Sequence, residues 1–483
     1  MSATTFATAV ESRSAAGHGP VRIDRLTLAE RLAAARERTD AFFALLAAKT
    51  MYERAIAERH RIIFYRGHLE AFEWNLLART GDRVPAFDPD LDLLFAFGID
   101  PVDGNLPADV PADWPTRIEV EAYVTRVRED LDRLLDRVVL DDVEAGAWKM
   151  AIEHRLMHAE TLAYMLPHLP LDAFAEGAAT PPAEQDPGPG ALLASGAGYE
   201  RTGAPGTPRL VTIPTGCVTR GRARAGGGFG WDNEYEEDVV VVPAFTIDAR
   251  NVTNGEFLAF VEAGGYGDPG RAFWGDEDWA WRAEHGAAHP ILWRRGRGRK
   301  HGVSGWRQRF AFVEGPLDPD LPVQVSLAEA RAYAGWQGRR LPTEPEFHRV
   351  AFGSPSGTER PYPWGAEAPV GGVHGAFDFL RFDPMPVGSY PAGDSAFDVA
   401  DLMGNGWEWT DTVFAPFPGF AADPRYPGYS EPFFDGRHFV IKGGSTQTDR
   451  VLLRRSFRNW FQPHYPYVFA AFRCVDASPV PGA

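Results

Sequence analysis

Residues 154–161 read HRLMHAET, and they lie in a helical stretch that begins near Asp141 and ends at the helix breakers Pro167 and Pro170. Side chains four positions apart lie one turn apart on the same helix face, so the two imidazoles of this HxxxH spacing can reach one ion. Histidine pairs that only pack in a core or lie on a surface also occur at this spacing, so the pattern alone does not show that these two bind a metal. Glu153 precedes the first histidine, so the HExxH arrangement of zinc proteases is absent.

Three further amphipathic helical stretches precede this one in the chain. The first begins at Thr27, and the other two cover roughly residues 51–80 and 117–138. Four long helices joined by mostly short loops predict a four-helix bundle.

His68 lies on the second of these stretches. Facing helices of a bundle commonly direct ligands inward to one metal, so His68 joins His154 and His158 as a candidate ligand. Alone, a histidine with apolar neighbours such as Phe64 and Leu69 is more often a core residue. Three neutral imidazoles leave open coordination positions, which suits either Fe(II) chemistry with oxygen or zinc hydrolysis.

The composition restricts the class of protein. The chain has 483 residues and a net charge of -17, from 49 Lys+Arg against 66 Asp+Glu. An acidic chain repels phosphate backbones, which disfavours nucleic acid as a partner. The two cysteines, Cys217 and Cys474, are too few for a disulfide framework or a cysteine zinc site. The sequence shows neither an apolar leader nor a span of ~20 apolar residues, so we expect a cytoplasmic protein with small-molecule partners and no membrane contact. Its oligomeric state is open.

The composition and the predicted secondary structure change along the chain. The predicted parts are a disordered N-terminus (1–25), the helical bundle (26–172), a Pro/Gly/Ala-rich linker (173–208) and a second domain (209–478). In the second domain short β-like runs such as LVTIP and HFVIKGG alternate with Gly, Pro and Asp turns. Only two short helices are predicted there, around residues 254–262 and 327–337. The expected fold class is therefore multidomain, with an α domain followed by an α+β domain.

The second domain contains a series of motifs: ARAYAGWQGRRLPTEPEFHRVA (330–351), YPWG (362–365), DLMGNGWEWT (401–410), IKGGS (441–445) and AAFRC (470–474). In this order they resemble the formylglycine-generating-enzyme fold, an irregular α+β domain related to C-type lectins. The reactive cysteine pair of those enzymes has no counterpart, because Cys474 stands alone in the FRC segment and Cys217 is far away in sequence. A copper–cysteine oxidase is therefore not expected.

The two domains together carry a second resemblance. A DinB-like four-helix bundle with His68 and the HxxxHxET motif, followed by this fold, resembles the ergothioneine-type sulfoxide synthases over nearly the whole chain after residue 25. Members of that family are non-heme iron enzymes that use O2 to join a chalcogen donor to the imidazole of hercynine, which is Nα-trimethylhistidine. The resemblance implies that His68, His154 and His158 ligate Fe(II) and that O2 is a cosubstrate.

Two segments resemble the substrate side of that family, PFPGF to IKGGS (416–445) and RNW (458–460). The resemblance implies that Tyr426 donates a proton or hydrogen atom to the reduced oxygen species, with Tyr429 beside it. It also implies that Asn459 and Trp460 line the hercynine pocket. A trimethylammonium cation cannot donate a hydrogen bond, so aromatic surface is what a pocket needs to hold it.

The donor side departs from the members that use γ-glutamylcysteine. Those members bind the donor's carboxylates with basic residues after the first ligand helix, and with an Asp and an Arg after RNW. Here no Lys or Arg occurs between Arg83 and Arg117, and Phe461 and Tyr465 occupy the positions of the Asp and the Arg. Met157 replaces a glutamine that some members have before the second paired histidine.

Aromatic side chains at the donor positions, without basic residues to bind carboxylates, favour a sugar donor. Carbohydrate C–H faces pack well on aromatic rings. We therefore predict an enzyme similar to selenoneine synthase, which couples a selenosugar to hercynine, with Phe461 and Tyr465 on the donor side. The alternative is an ergothioneine-forming sulfoxide synthase that uses cysteine or γ-glutamylcysteine. A lectin-like module that only binds, and a zinc-dependent thiol transferase, are the hypotheses from other classes.

Overall fold

The structure is a computed structural model, and it describes residues 25–79, 83–96, 107–175, 209–296 and 305–477. None of the helices in these ranges is long and apolar enough to span a membrane. The predicted disordered N-terminus, apart from Arg25, and residues 176–208 of the predicted linker lie outside the described residues.

The helical domain contains α1 (Arg25–Ala44), α2 (Ile62–Trp74), α3 (Pro89–Leu94), α4 (Arg117–Arg137) and α5 (Asp142–Met165). Helix α1 packs on α4 and α5, and helix α2 packs on the same two helices. Each long helix therefore touches two others, which is the arrangement of a four-helix bundle. The resemblance of this domain to DinB-like bundles stays a prediction.

Helices α1, α4 and α5 begin within two residues of their predicted starts, but α2 is much shorter than its predicted stretch. It begins at Ile62 instead of near residue 51. The preceding residues are tied to the loop before α4, because the carboxylate of Asp109 accepts hydrogen bonds from Arg54 at 2.5 Å and from Arg61 at 2.9 Å. These ion pairs hold the segment in an irregular conformation that helical periodicity does not reveal.

The second domain contains four helices in its described ranges: α6 (Asn254–Glu262), α7 (Asp276–Glu284), α8 (Leu327–Trp336) and α9 (Glu344–Phe352). The expectation of only two short helices was wrong, since α7 and α9 were missed. The sequence did carry a signal for α9. Thr343 and Glu346 form a capping box at its start, with the side chain of each bonded to the backbone of the other.

The strands of the second domain are β1 (Leu210–Ile213), β2 (Gly216–Arg220), β3 (Asp238–Val242), β4 (Phe245–Asp248), β5 (Trp293–Arg295), β6 (Trp306–Arg309), β7 (Glu314–Pro316), β8 (Arg339–Arg340), β9 (Gly406–Val413), β10 (Phe439–Gly444), β11 (Asn459–Phe461), β12 (Ala470–Ala471) and β13 (Val475–Asp476). They form sheets in the orders β1-β4-β13-β8, β11-β10-β9-β12 and β5-β6-β7, and β2 pairs with β3. Short strands between long loops agree with the predicted irregular α+β domain.

The sheet that contains β9 and β10 faces the helical bundle. Strand β10 pairs antiparallel with β9 on one side and with β11 on the other, which places Trp460 opposite Val440. Trp407 of β9 is buried, and its Nε1 donates a hydrogen bond of 2.7 Å to Glu160 of helix α5. Strand β9 therefore contacts the helix that carries the HxxxH spacing, and β11 is an edge strand of the same sheet.

Both cysteines of the chain are free thiols. Cys217 is exposed on β2, and Cys474 is buried just before β13. The two cysteines therefore do not form a reactive thiol pair, and the candidate metal site is the histidine group.

Candidate metal centre and its aromatic wall

Three histidines converge in the helical domain, as the sequence predicts. His68 comes from α2, and His154 and His158 come from α5. The Nε2 atom of His158 lies 3.2 Å from Nε2 of His68 and 3.1 Å from Nε2 of His154. All three side chains are buried, and one ligand atom from each lies within 4.8 Å of the others.

The three imidazoles are uncharged at neutral pH. Burial lowers the pKa of His68 to about 4 and lowers the pKa values of His154 and His158 well below their usual range, because a charged ring loses its hydration there. Nδ1 of His68 lies 2.7 Å from the backbone oxygen of Phe95. A carbonyl oxygen only accepts, so this nitrogen carries the proton and Nε2 presents a lone pair to the cluster.

This donor set fits a divalent metal ion. Three imidazole lone pairs repel one another at these separations, and a cation between them replaces that repulsion by attraction. Nδ1 of His154 and Nδ1 of His158 are buried without a hydrogen-bond partner among the described residues, so Nε2 is the atom that each ring directs to the cluster. Three neutral nitrogen ligands suit Fe(II) and zinc alike.

The position of His68 depends on a close contact between α2 and the end of α3. Gly67 has no side chain, and the ring of Phe95 fills that space: a Cβ atom on Gly67 would lie 2.4 Å from three ring atoms. Asp92 anchors α3 from the other side, because its carboxylate accepts a hydrogen bond of 2.7 Å from Tyr123. The carbonyl that orients His68 is therefore fixed by packing.

Tyr426 reaches this cluster from the second domain. Phe72 of α2 stacks on the ring of His154, with a centroid distance of 3.5 Å and an angle of 12°. The ring of Tyr426 lies 5.1 Å from Phe72 and 6.2 Å from His154. The structure thus places the predicted catalytic tyrosine next to a candidate metal ligand.

Tyr426 is the first residue of an aromatic wall that also contains Tyr429, Trp460, Phe461 and Tyr465. Tyr429 is the next residue of this wall. Its ring lies 5.6 Å from Tyr426, stacks on Trp231 at 4.0 Å and lies 5.3 Å from Trp460. Its hydroxyl donates to Sδ of Met157 at 3.5 Å. Burial raises the pKa of Tyr429 well above its usual value, so the phenol stays protonated.

Asn459 and Trp460 lie together on β11, as the RNW motif requires. Trp460 stacks in parallel on Phe414, with a centroid distance of 4.1 Å and an angle of 7°. The Oδ1 atom of Asn459 accepts a hydrogen bond of 2.9 Å from the backbone N–H of Trp460.

Phe461 and Tyr465 form the other end of the wall, stacked in parallel at 5.3 Å and 10°. Tyr465 also contacts a cation, Arg59, which the sequence comparison of the donor side did not identify. Nε of Arg59 donates to the Tyr465 hydroxyl at 2.7 Å, and Arg59 is buried. The cation comes from the segment before α2, outside the Arg83–Arg117 stretch that lacks basic residues.

Helix α5 is attached to the second domain through Glu160. Its carboxylate accepts hydrogen bonds from Trp407 at 2.7 Å, from Thr448 at 3.0 and 3.1 Å, and from Ser445. Burial raises the pKa of Glu160, and these donors oppose the shift. Glu160, two positions after His158, thus helps to hold the two domains together.

A second buried contact between the domains surrounds Arg454. Its guanidinium donates to Glu153 of α5 at 2.9 and 3.0 Å and to Glu234 at 2.8 Å. Trp231 donates to the same Glu153 carboxylate at 2.9 Å. Burial raises the pKa of Glu153 to about 6, although Arg454 acts in the opposite direction.

Sequence reasoning missed several side chains of this centre: Phe72, Arg59, Trp231, Glu153 and Arg454. Phe72 carried a signal, because it lies four positions after His68 and therefore on the same helix face. Arg59, Trp231 and Arg454 are brought in from distant segments, and Glu153 lies next to His154 but has no local pattern that indicates its contact with the second domain.

Comparison with known proteins identifies relatives of the chain. Residues 199–478 match the family described as the sulfatase-modifying factor enzyme 1-like domain. The chain is 35% identical over 427 residues to the hercynine oxygenase of Mycolicibacterium thermoresistibile, covering 85% of this chain and 86% of that protein. It is 34% identical over 469 residues to the hercynine oxygenase of Mycolicibacterium smegmatis, covering 93% of this chain and 99% of that protein. Ergothioneine biosynthesis protein 1 of Neurospora crassa is 26% identical, covering 89% of this chain and 55% of that protein.

Proposed function

The chain belongs to the hercynine oxygenase family, and on this premise we propose that it uses oxygen to join a thiol donor to the imidazole of hercynine. The product would be a hercynine sulfoxide adduct. The names of the relatives support the reaction class and the small-molecule substrate. One structural observation carries the proposal: Tyr426 of the second domain lies beside His154, one of three buried histidines that converge in the helical domain.

We propose Fe(II) as the metal, held by Nε2 of His68, His154 and His158. Bound there, Fe(II) supplies the redox chemistry with dioxygen that zinc lacks. The protein keeps two of these ligands in place: the Phe95 carbonyl fixes the tautomer of His68, and Phe72 holds the ring of His154 by stacking.

The aromatic wall suits the hercynine molecule. Tyr429 and Trp460 lie 5.3 Å apart at 74°, so they present two π faces to a trimethylammonium group. Trp231 and Phe414 stack on these two rings and keep them in place. The amide of Asn459 would donate to the hercynine carboxylate.

Tyr426 would supply the proton. It is the residue of the wall whose ring lies beside both Phe72 and His154, which supports a role for its phenol at the candidate metal centre. A positioned acid at this point removes the need for bulk water inside an apolar pocket.

Two features of the donor side support different donors. The hydrogen bond from Arg59 to the Tyr465 hydroxyl makes this side of the pocket polar, which supports a thiol donor with polar groups, such as cysteine or γ-glutamylcysteine. The parallel stack of Phe461 on Tyr465 supports a selenosugar, which makes selenoneine formation the second candidate. We place the thiol first because the relatives are named for hercynine oxygenation and ergothioneine biosynthesis.

The deciding experiment is a turnover assay with the iron-reconstituted full-length chain, hercynine and one donor at a time, in air and without oxygen. Oxygen uptake and mass spectrometry of the products are the readouts. We expect uptake that depends on hercynine, and an adduct that forms only in air. No hercynine-dependent uptake with any donor would contradict the proposal, and turnover with the selenosugar alone would replace the thiol by the second candidate.

A further inference from the structure

Met157 lies at the edge of the metal centre on helix α5. It is half-buried and sits between His154 and His158 in the chain, with its Sδ atom 3.5 Å from the Tyr429 hydroxyl. The other methionines in the described ranges are buried: Met51, Met150, Met165, Met385 and Met403. Met157 is therefore the methionine that combines access with a place beside the histidines.

The chemistry of this side chain resembles that of the proposed donor. A thioether is a divalent sulfur with a free lone pair, and oxidation converts it into a sulfoxide. Its contact with Tyr429 directs the sulfur to the same aromatic wall that is proposed to bind hercynine. When no donor occupies the pocket, this partly accessible sulfur lies against Tyr429, on the helix that carries His154 and His158.

We propose that Met157 is a self-oxidation site, whose thioether receives an oxygen atom when the enzyme reduces O2 without a bound donor. The proposal rests on the proposed oxygenase function. In the balanced step one oxygen atom of O2 forms the S=O bond of Met157, and the other leaves as water. The thioether loses two electrons, and a two-electron reductant of the ascorbate class supplies the other two electrons and two protons.

The oxidised side chain changes the pocket. A sulfoxide oxygen is a far stronger hydrogen-bond acceptor than a thioether, and it is polar where the original group was apolar. It would bind the Tyr429 hydroxyl tightly and move that ring relative to Trp231 and Trp460. Enzyme that turns over without a donor would therefore lose activity progressively.

The test uses the full-length chain loaded with iron, with hercynine and ascorbate but no donor, in air. Cleavage after Glu153 and Glu160 releases the peptide 154–160, in which mass spectrometry measures the addition of one oxygen atom at Met157. Zinc-loaded protein and anaerobic iron-loaded protein are the matched controls. We expect a roughly tenfold higher sulfoxide fraction at Met157 in the aerobic iron form, with little change at Met403 and Met385.

An equal sulfoxide fraction in the zinc form, or none in the iron form that consumes oxygen, would overturn the proposal. Iron- and oxygen-dependent oxidation of Met157 without hercynine-dependent oxygen uptake would support it while the proposed function fails. The Met157→Leu variant keeps the side-chain volume and removes the sulfur. We expect it to complete several-fold more oxygen-consuming cycles, relative to its own initial rate, before it stops, and an unchanged number would contradict the inactivation.

Discussion

At the scale of single residues, Tyr426 tests the proposed chemistry most directly. Tyr426→Phe keeps the ring that contacts Phe72 but removes the proton donor. We expect adduct formation to slow by roughly 100-fold, or to shift to another product, with iron binding retained. Mass spectrometry of the products is the measurement, and an unchanged rate and product profile would remove Tyr426 from the proposed role.

Gly67 tests how the metal ligand is oriented. In Gly67→Ala the new methyl group would collide with the ring of Phe95 and displace the carbonyl that accepts from His68. We expect metal affinity to fall by roughly tenfold, as for the loss of other partners of metal-bound histidines. Titration against a chelator measures the affinity.

The control for that variant is Gly146→Ala on α5, where a Cβ atom would meet only the flexible end of Arg425, at 3.1 Å. Equal affinity in the two variants would show that the Phe95 carbonyl does not orient His68.

The buried histidines also predict that the free energy of unfolding depends on pH. Burial lowers the pKa values of His68 and His168 from 6.5 to about 4. In the unfolded chain these rings take up protons near 6.5, whereas in the folded protein they do so only near 4. The free energy of unfolding of the metal-free protein should therefore decrease as the pH falls through this window, by about 3 kcal/mol for each histidine.

Guanidinium denaturation of the metal-free protein at several pH values measures this dependence. His168→Gln removes one titrating group outside the metal site, so its stability should change less steeply with pH. Constant stability between pH 6.5 and 4 would contradict the assignment of these rings as buried and neutral.

At the scale of elements, helix α5 combines two tasks. Its histidines face the metal centre, and Glu153 and Glu160 on the same helix bind the second domain. The sequence predicted α5 and its HxxxH face, because 3.6-residue periodicity is a local property. It did not predict where Glu160 binds, because Trp407, Ser445 and Thr448 reach it only through the packing of β9 and β10 on the bundle.

Glu160→Ala tests this attachment. The variant leaves the buried Trp407 and Thr448 donors without their acceptor, so we expect a loss of about 2–3 kcal/mol in the free energy of unfolding. Glu160→Gln keeps an acceptor oxygen and should lose less. Denaturant titration measures both variants, and equal losses would show that the hydrogen bonds to Glu160 contribute little.

At the scale of the whole molecule, the two domains share a buried ionic contact. Arg454→Met would leave the carboxylates of Glu153 and Glu234 buried without their cation. We expect a loss of about 3–5 kcal/mol and separate unfolding of the two domains in calorimetry. Arg455→Met is the matched control, because Arg455 pairs with Glu359 at 3.2 Å in a more exposed position and should lose less than about 1 kcal/mol.

A single transition in Arg454→Met, with a Tm within about 2 °C of the unchanged protein, would show that the domains are held together by other contacts.

The aromatic residues also have a place at this scale. They make up 12% of the chain, and most of them pack inside the irregular second domain. A smaller group includes Tyr426, Tyr429 and Trp460. These residues of the second domain form the aromatic wall on one side of the metal centre. Large aromatic contacts of this kind stabilise the long loops of that domain.

The sequence by itself determined α1, α4 and α5, the presence but not the start of α2, the three candidate ligands and the motifs of the second domain, because periodicity and motif spacing are properties of neighbouring residues. Only the tertiary structure decided that Phe95 orients His68, that Arg59 faces Tyr465, and that Glu153 and Glu160 hold the domains together. These contacts join segments far apart in the chain. They depend on how two domains pack against each other, and no local pattern encodes that arrangement.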